Sequence, residues 1–202
     1  MKRSLAKGDA ALAGQPPMII RRSSETPARL WSGGTTRELF IAPVDSDYAD
    51  RTFQVRLSTA TVESEECLFT PLAGYERHLM VLEGEAHLEH QGHRSRDLRR
   101  FEVDTFDGAW QTLSQGLYRD FNLMVRYGSR GYLTHQLLRE QETLHLSPEP
   151  ALLRAWYLIS GRVELVSGEV LAAGDLLVIE PGDRLGLRSL QASQLVVSTI
   201  AF

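Results

Sequence analysis

Arg56 and Ser58 stand two residues apart in the run Phe53–Ala60, and Asn122, Met124 and Arg126 follow the same spacing in Phe121–Tyr127. In a strand, residues two apart share a face, so each set presents polar side chains to one side. An arginine fork matches a carboxylate through two hydrogen bonds. Serine and asparagine supply donors and acceptors that can orient a second polar group. A buried guanidinium must be paired. If these faces turn inward, joined by Arg77, they describe a pocket for a small mono- or dicarboxylate. The alternative is that they meet solvent, where arginine is mostly found.

Other constellations are less productive. Gly33-Gly34-Thr35-Thr36 precedes a strand. Its amides offer an anion contact and the threonine hydroxyls, Thr36 included, a pocket entrance; a plain turn under Trp31 is the alternative. The spacing is neither a Walker loop nor a dinucleotide motif. His87, His90 and His93 lie beside Glu85 and Glu89. On a strand, His87 shares a face with the glutamates, His90 falls on the other, and His93 lies past the Gln91-Gly92 turn. The cluster therefore reads as an exposed hairpin tip, and no metal or cofactor is expected. Cys67 follows Glu63, Glu65 and Glu66, and negative neighbours raise a thiol pKa. Glu38, Asp107 and Asp120 are candidate acid–base groups, although turn formation and arginine pairing explain them as well. The run Arg94–Arg100 reads as a solvated loop.

The elements that must position these groups are strands. The chain has 202 residues, 43% hydrophobic and 24% charged, with a net charge of −4. This suits a globular protein and argues against nucleic acid as a partner. No apolar run is long enough for a membrane helix. The single cysteine allows no internal disulfide and fits a reducing cytoplasm. Residues 1–17 read as a disordered extension, with Met18 an alternative start. Beyond them, alternation of period two (Phe53 to Thr61, Phe121 to Tyr127) and short apolar runs between Gly, Pro, Asp and Asn clusters predict an all-β barrel or sandwich. Asp45–Arg51 and Thr134–Glu142 are the two stretches with short-helix character. Met80–Leu88 echoes Tyr157–Leu165, each a strand, a glycine turn and a strand. Two copies of one unit, 18–130 and 131–202, follow from that echo.

Gly174-Asp175-Leu176-Leu177-Val178-Ile179-Glu180-Pro181-Gly182-Asp183 resembles the second motif of the cupin superfamily. The histidines of metal-binding cupins have no full counterpart here. Trp31-Ser32-Gly33-Gly34-Thr35-Thr36-Arg37-Glu38-Leu39, Phe53-x-Val55-Arg56-Leu57-Ser58-x-Ala60, Thr70–Arg77 with Met80–Gly84, and Asp120–Met124 resemble, in order, four motifs of the HutD/Ves family. The resemblance implies a bicupin, two cupin-like β-barrels in one chain, with a metal-independent pocket in the first. Some family members are encoded with the histidine-utilisation pathway, and no catalytic activity is established for the family. A ligand such as urocanate, formiminoglutamate or formylglutamate follows, with Arg56, Arg77 and Arg126 pairing carboxylates and Thr36, Ser58 and Asn122 selecting the remainder. Two alternatives stay open: a metal-free isomerase or epimerase using Glu38 or Asp120 as base, and an interaction module. In the module, or in a homodimer, Ala151–Ile159 and Leu195–Phe202 would supply edge or interface strands.

Overall fold

The computed structural model describes residues 18–146, 149, 151–180 and 185–202. The expected extension at 1–17 and the Pro181-Gly182-Asp183 turn lie outside the described residues. The described chain is all-β apart from one 3-10 turn, Ser23–Glu25. In chain order the strands are β1 (Ile19–Arg21), β2 (Arg29–Trp31), β3 (Gly34–Ala42), β4 (Val55–Val62), β5 (Glu66–Leu68) and β6 (Tyr75–Gly84). Then come β7 (Ala86–His90), β8 (Arg94–Leu98), β9 (Val103–Asp107), β10 (Thr112–Gln115), β11 (Tyr118–Arg126) and β12 (Arg130–Leu138). The last five are β13 (Thr143–Leu146), β14 (Leu152–Leu165), β15 (Val170–Ala172), β16 (Leu176–Ile179) and β17 (Leu185–Ala201).

These form three antiparallel sheets. The central one has six strands in the order β2-β3-β4-β11-β6-β9, the smallest four in the order β5-β10-β7-β8. The third runs β1-β16-β14-β17-β12, with β13 on β17 and β15 on β14. Among the described residues no sheet closes on itself into a barrel.

The period-two pattern assigns the central sheet's faces. Leu57, Phe121, Leu123, Val125, Met80 and Leu82 turn one way and pack against Leu153, Ala155, Tyr157, Val178, Val196 and Ile200 of the seven-stranded sheet. Val62, Leu79, Val81 and Tyr118 turn the other way, onto Cys67, Leu88, Leu98 and Phe106. At the far end of that second face Met124 joins Phe53, Leu72 and Tyr75. Between these two apolar plugs the face is polar, and there the cavity forms.

Several sequence expectations are corrected. Residues 45–51 form turns rather than a helix, and Thr134–Leu138 continues β12, paired with Ser193–Val197. Ala151–Ile159 and Leu195–Phe202 are not edge strands. They fall on β14 and β17, which pair with each other in the middle of their sheet. Their apolar character is core, spent on the two clusters that sandwich the sheet.

Candidate functional site

Three cross-strand rows build the site. Arg56 on β4 faces Met124 on β11, which faces Arg77 on β6. The next row is Glu38, Ser58, Asn122 and Leu79, and the third is Thr36, Ala60, Asp120 and Val81. Register shifts at Glu38/Phe40 and Arg119/Asp120 interrupt the β3–β4 and β6–β11 ladders beside these rows. With Trp31, Tyr48, Phe69 and Thr70, the residues of these rows other than Glu38, Leu79 and Val81 line a cavity of about 130 Å³. A water needs about 10–15 Å³ on this scale, so the space suits a compound of about ten non-hydrogen atoms.

The two arginines differ in what they already hold. Arg56 donates from Nε to Glu38 Oε2 at 2.8 Å and from Nη1 to Ser58 Oγ at 3.0 Å. Its guanidinium sits 4.4 Å from the centre of the Tyr48 ring. Arg77 makes no hydrogen bond or ion pair among the described residues, and its Nε is buried without an acceptor. It lies against ring faces instead, 4.8 Å from Phe69 and 5.2 Å from Phe106. Burial lowers its pKa from the ordinary value, and Tyr48 and Asp120 act against that electrostatically. Cation–ring contacts repay only part of the desolvation of a guanidinium, so Arg77 presents donors that the protein leaves unused.

Opposite it stand Asp120 and Asn122. Asn122 Nδ2 donates to Asp120 Oδ1 at 2.5 Å, and Asn122 Oδ1 is buried without a donor. Burial pushes the Asp120 carboxyl up to about 7, although Arg77, the Ala60 amide and Asn122 all favour its charged form. Thr36 Oγ1 is engaged with the Thr59 carbonyl at 2.9 Å.

Of the six residues expected from the sequence, the structure brings Thr36, Arg56, Ser58, Arg77 and Asn122 to one cavity. Arg126 is not among them. It has the parity of Asn122 and Met124, but the Met124, Phe53 and Tyr75 plug closes the cavity before the strand reaches it. Its exposed guanidinium stands 5.9 Å from the outer Tyr75 ring. Asp120, expected only as an acid or base, is a lining residue that one more step of two back from Asn122 would have found. Tyr48, Phe69 and Trp31 come from turns and short strands, where period-two reasoning gives no signal.

The Gly33-Gly34 pair serves packing. A Cβ on Gly33 would meet the Trp31 ring at 2.4 Å, and one on Gly34 the Thr61 carbonyl at 2.2 Å. The histidine run also differs from the expected exposed tip. His87 bonds Asp97, whereas His90 is buried between Thr112 Oγ1 and Asp104 Oδ2, both at 2.8 Å. His93 stacks on Trp110 at 4.0 Å. The three do not converge, and among the described residues no three His, Cys, Asp or Glu side chains gather as a metal site would require. Cys67 is buried, and burial, more than its acidic neighbours, raises its pKa.

Comparison with known proteins places this geometry. Residues 23–197 match the sequence model of a family described as HutD. The fold is similar to that of a conserved protein of unknown function, PA5104 from Pseudomonas aeruginosa, with 25% identity, a TM-score of 0.77, and 93% of this chain and 100% of that one covered. HutD from Pseudomonas fluorescens aligns at 22% identity and a TM-score of 0.68, over 92% of this chain and 100% of that one. The Escherichia coli pirin YhhW, in complex with nickel(II), aligns at 11% identity and a TM-score of 0.69, over 91% and 98%. The architecture is therefore cupin-like. No curated protein gives a significant sequence match.

Proposed function

This chain belongs to the HutD family, and on that premise we propose that it binds a small carboxylate metabolite in the cavity around Arg77. The observation that carries the reading is the buried Arg77 guanidinium, which has no acceptor of its own beside an Asn122 carbonyl oxygen that has no donor. A ligand satisfying both supplies a carboxylate to Arg77 and an N–H or O–H to Asn122, which makes each group far less costly to bury. Urocanate, formiminoglutamate and formylglutamate all carry that pair of groups, which supports a role in regulating or buffering histidine utilisation. In this reading the six- and four-stranded sheets belong to one cupin unit, 18–130, and the seven-stranded sheet to a second, 131–202, with β1 of the first unit added along β16.

Asp120 completes the binding chemistry. Near neutral pH it exchanges its proton readily, and the protonated form tolerates an incoming anion where the carboxylate would repel it. The same property favours a second reading, metal-free isomerisation with Asp120 as the acid–base group. Glu38 is a poorer base because it anchors Arg56.

A thermal-shift panel of metal-stripped protein tests both readings. A ligand at 100 times its dissociation constant stabilises by about 2.7 kcal/mol, roughly 5–10 °C for a chain this size. A shift with one of these acids and no turnover supports binding; turnover lost in Asp120→Asn supports the enzyme. No shift with any of them, or with formate and glutamate, contradicts the proposal.

A further inference from the structure

The opposite face of the central sheet carries a second polar cavity. With Arg37 opposite Thr59 on the β3–β4 ladder, and Thr61 opposite both Thr35 and Arg119, these side chains project away from the Arg77 cavity. Joined by Tyr157 from β14, they line a space of about 150 Å³ where the central and seven-stranded sheets meet. We propose that this cavity is a separate binding site for a phosphate group, free or carried on a small molecule.

Charge and unmet donors argue for an anion. Arg119 Nη2 lies 3.1 Å from Glu83 Oε1, but its Nε is buried with no acceptor. Arg37 spends one nitrogen on the Ser23 and Thr26 carbonyls. The Tyr157 hydroxyl has no partner among the described residues, and burial raises its pKa, so it remains a donor. The acidic groups acting on Tyr157 are Glu83 and Asp175. Asp175 is already held by Arg22 at 2.9 Å and by the Ser23 amide, so the two cavity arginines outweigh Glu83. Hydroxyls and guanidinium groups approaching from several strands suit the tetrahedral array of acceptors on phosphate better than the two in-plane oxygens of a carboxylate. The space holds about ten water-sized groups, twice what inorganic phosphate fills, which leaves room for a small substituent. Thr36 and Ala60 line both cavities, so one sheet thickness separates the sites and their ligands must be told apart by mutation.

Calorimetric titration of the full chain with inorganic phosphate and with glycerol phosphate is the test. Wild type binds one or both, and binding of the ester alone means the occupant carries a substituent. Arg119→Gln weakens binding at least tenfold, Tyr157→Phe severalfold, and Arg77→Gln leaves it unchanged. Far-UV circular dichroism checks folding, and Tyr157→Phe removes a single hydroxyl should Arg119→Gln fail to fold. Absence of binding by wild type, undiminished affinity in folded Arg119→Gln or Tyr157→Phe, or loss of binding in Arg77→Gln, which would put phosphate in the first cavity, overturns the proposal.

Discussion

Replacing Asp120 by asparagine should make the protein less sensitive to alkaline pH. The Asp120 carboxyl is pushed up to about 7 from an ordinary 3.8, with burial as the main cause. Between those values the folded state binds more protons than the unfolded chain, so stability falls as pH rises. Each unit is worth about 1.36 kcal/mol, and the whole cost, reached above pH 7, is about 4 kcal/mol. Of this, about 3 kcal/mol falls between pH 5 and pH 9. The introduced amide still accepts the Asn122 N–H through its own carbonyl oxygen but has no proton to lose. The melting-temperature advantage of Asp120→Asn over wild type should therefore widen by roughly 6–12 °C from pH 5 to pH 9. Parallel thermal melts of the two proteins across that range measure it, and titrating groups that do not interact with Asp120 cancel in the difference. A difference that stays constant would show Asp120 ionising as an ordinary carboxylate, and the electrostatic account of the cavity would be wrong.

Ligand affinity should follow the same proton. A bound carboxylate favours protonated Asp120, so affinity is flat below pH 7 and falls up to about tenfold per unit above it; titrations at pH 6, 7 and 8 read this directly. Arg126→Ala should leave carboxylate affinity unchanged, because that side chain stands outside the cavity, and a measurable loss by calorimetry would place it back inside. Asp104→Asn should destabilise the protein in urea melts by about 2–3 kcal/mol. That is below the 3–5 kcal/mol of a fully buried pair, because Arg94 is 35% exposed where it meets Asp104 while His90 is enclosed.

Much of the site was legible because strands write their faces in the sequence. Phe53 to Thr61 and Phe121 to Tyr127 alternate cleanly, and those alternations are β4 and β11, the two strands at the centre of the six-stranded sheet. Alternation fixes parity but not where a cavity begins and ends. It therefore placed Arg126 with Asn122, and only the Met124, Phe53 and Tyr75 plug separates them. Arg77 sits in a strand buried on both faces, so its neighbours Leu79 and Val81 gave no hint that it lacks a partner. The lengths of β14 and β17 were hidden because polar residues and glycine break each into short apolar runs, while cross-strand pairing holds them continuous through register shifts. Tyr48, which underlies Arg56, comes from a turn segment with no periodicity.

The central claim is that Arg77 is kept buried and unpaired for a ligand. Removing it should weaken carboxylate binding and, in the free protein, relieve the cost of an unsatisfied cation, raising stability by about 1–3 kcal/mol. The most direct measurement is calorimetric titration of formylglutamate into wild type and Arg77→Gln at pH 6.5, each with a thermal melt of the free protein. Affinity at least tenfold weaker in a variant that melts no lower than wild type is the predicted result. Equal affinity in the two proteins, or a variant that binds weakly only because it has lost stability, would contradict it.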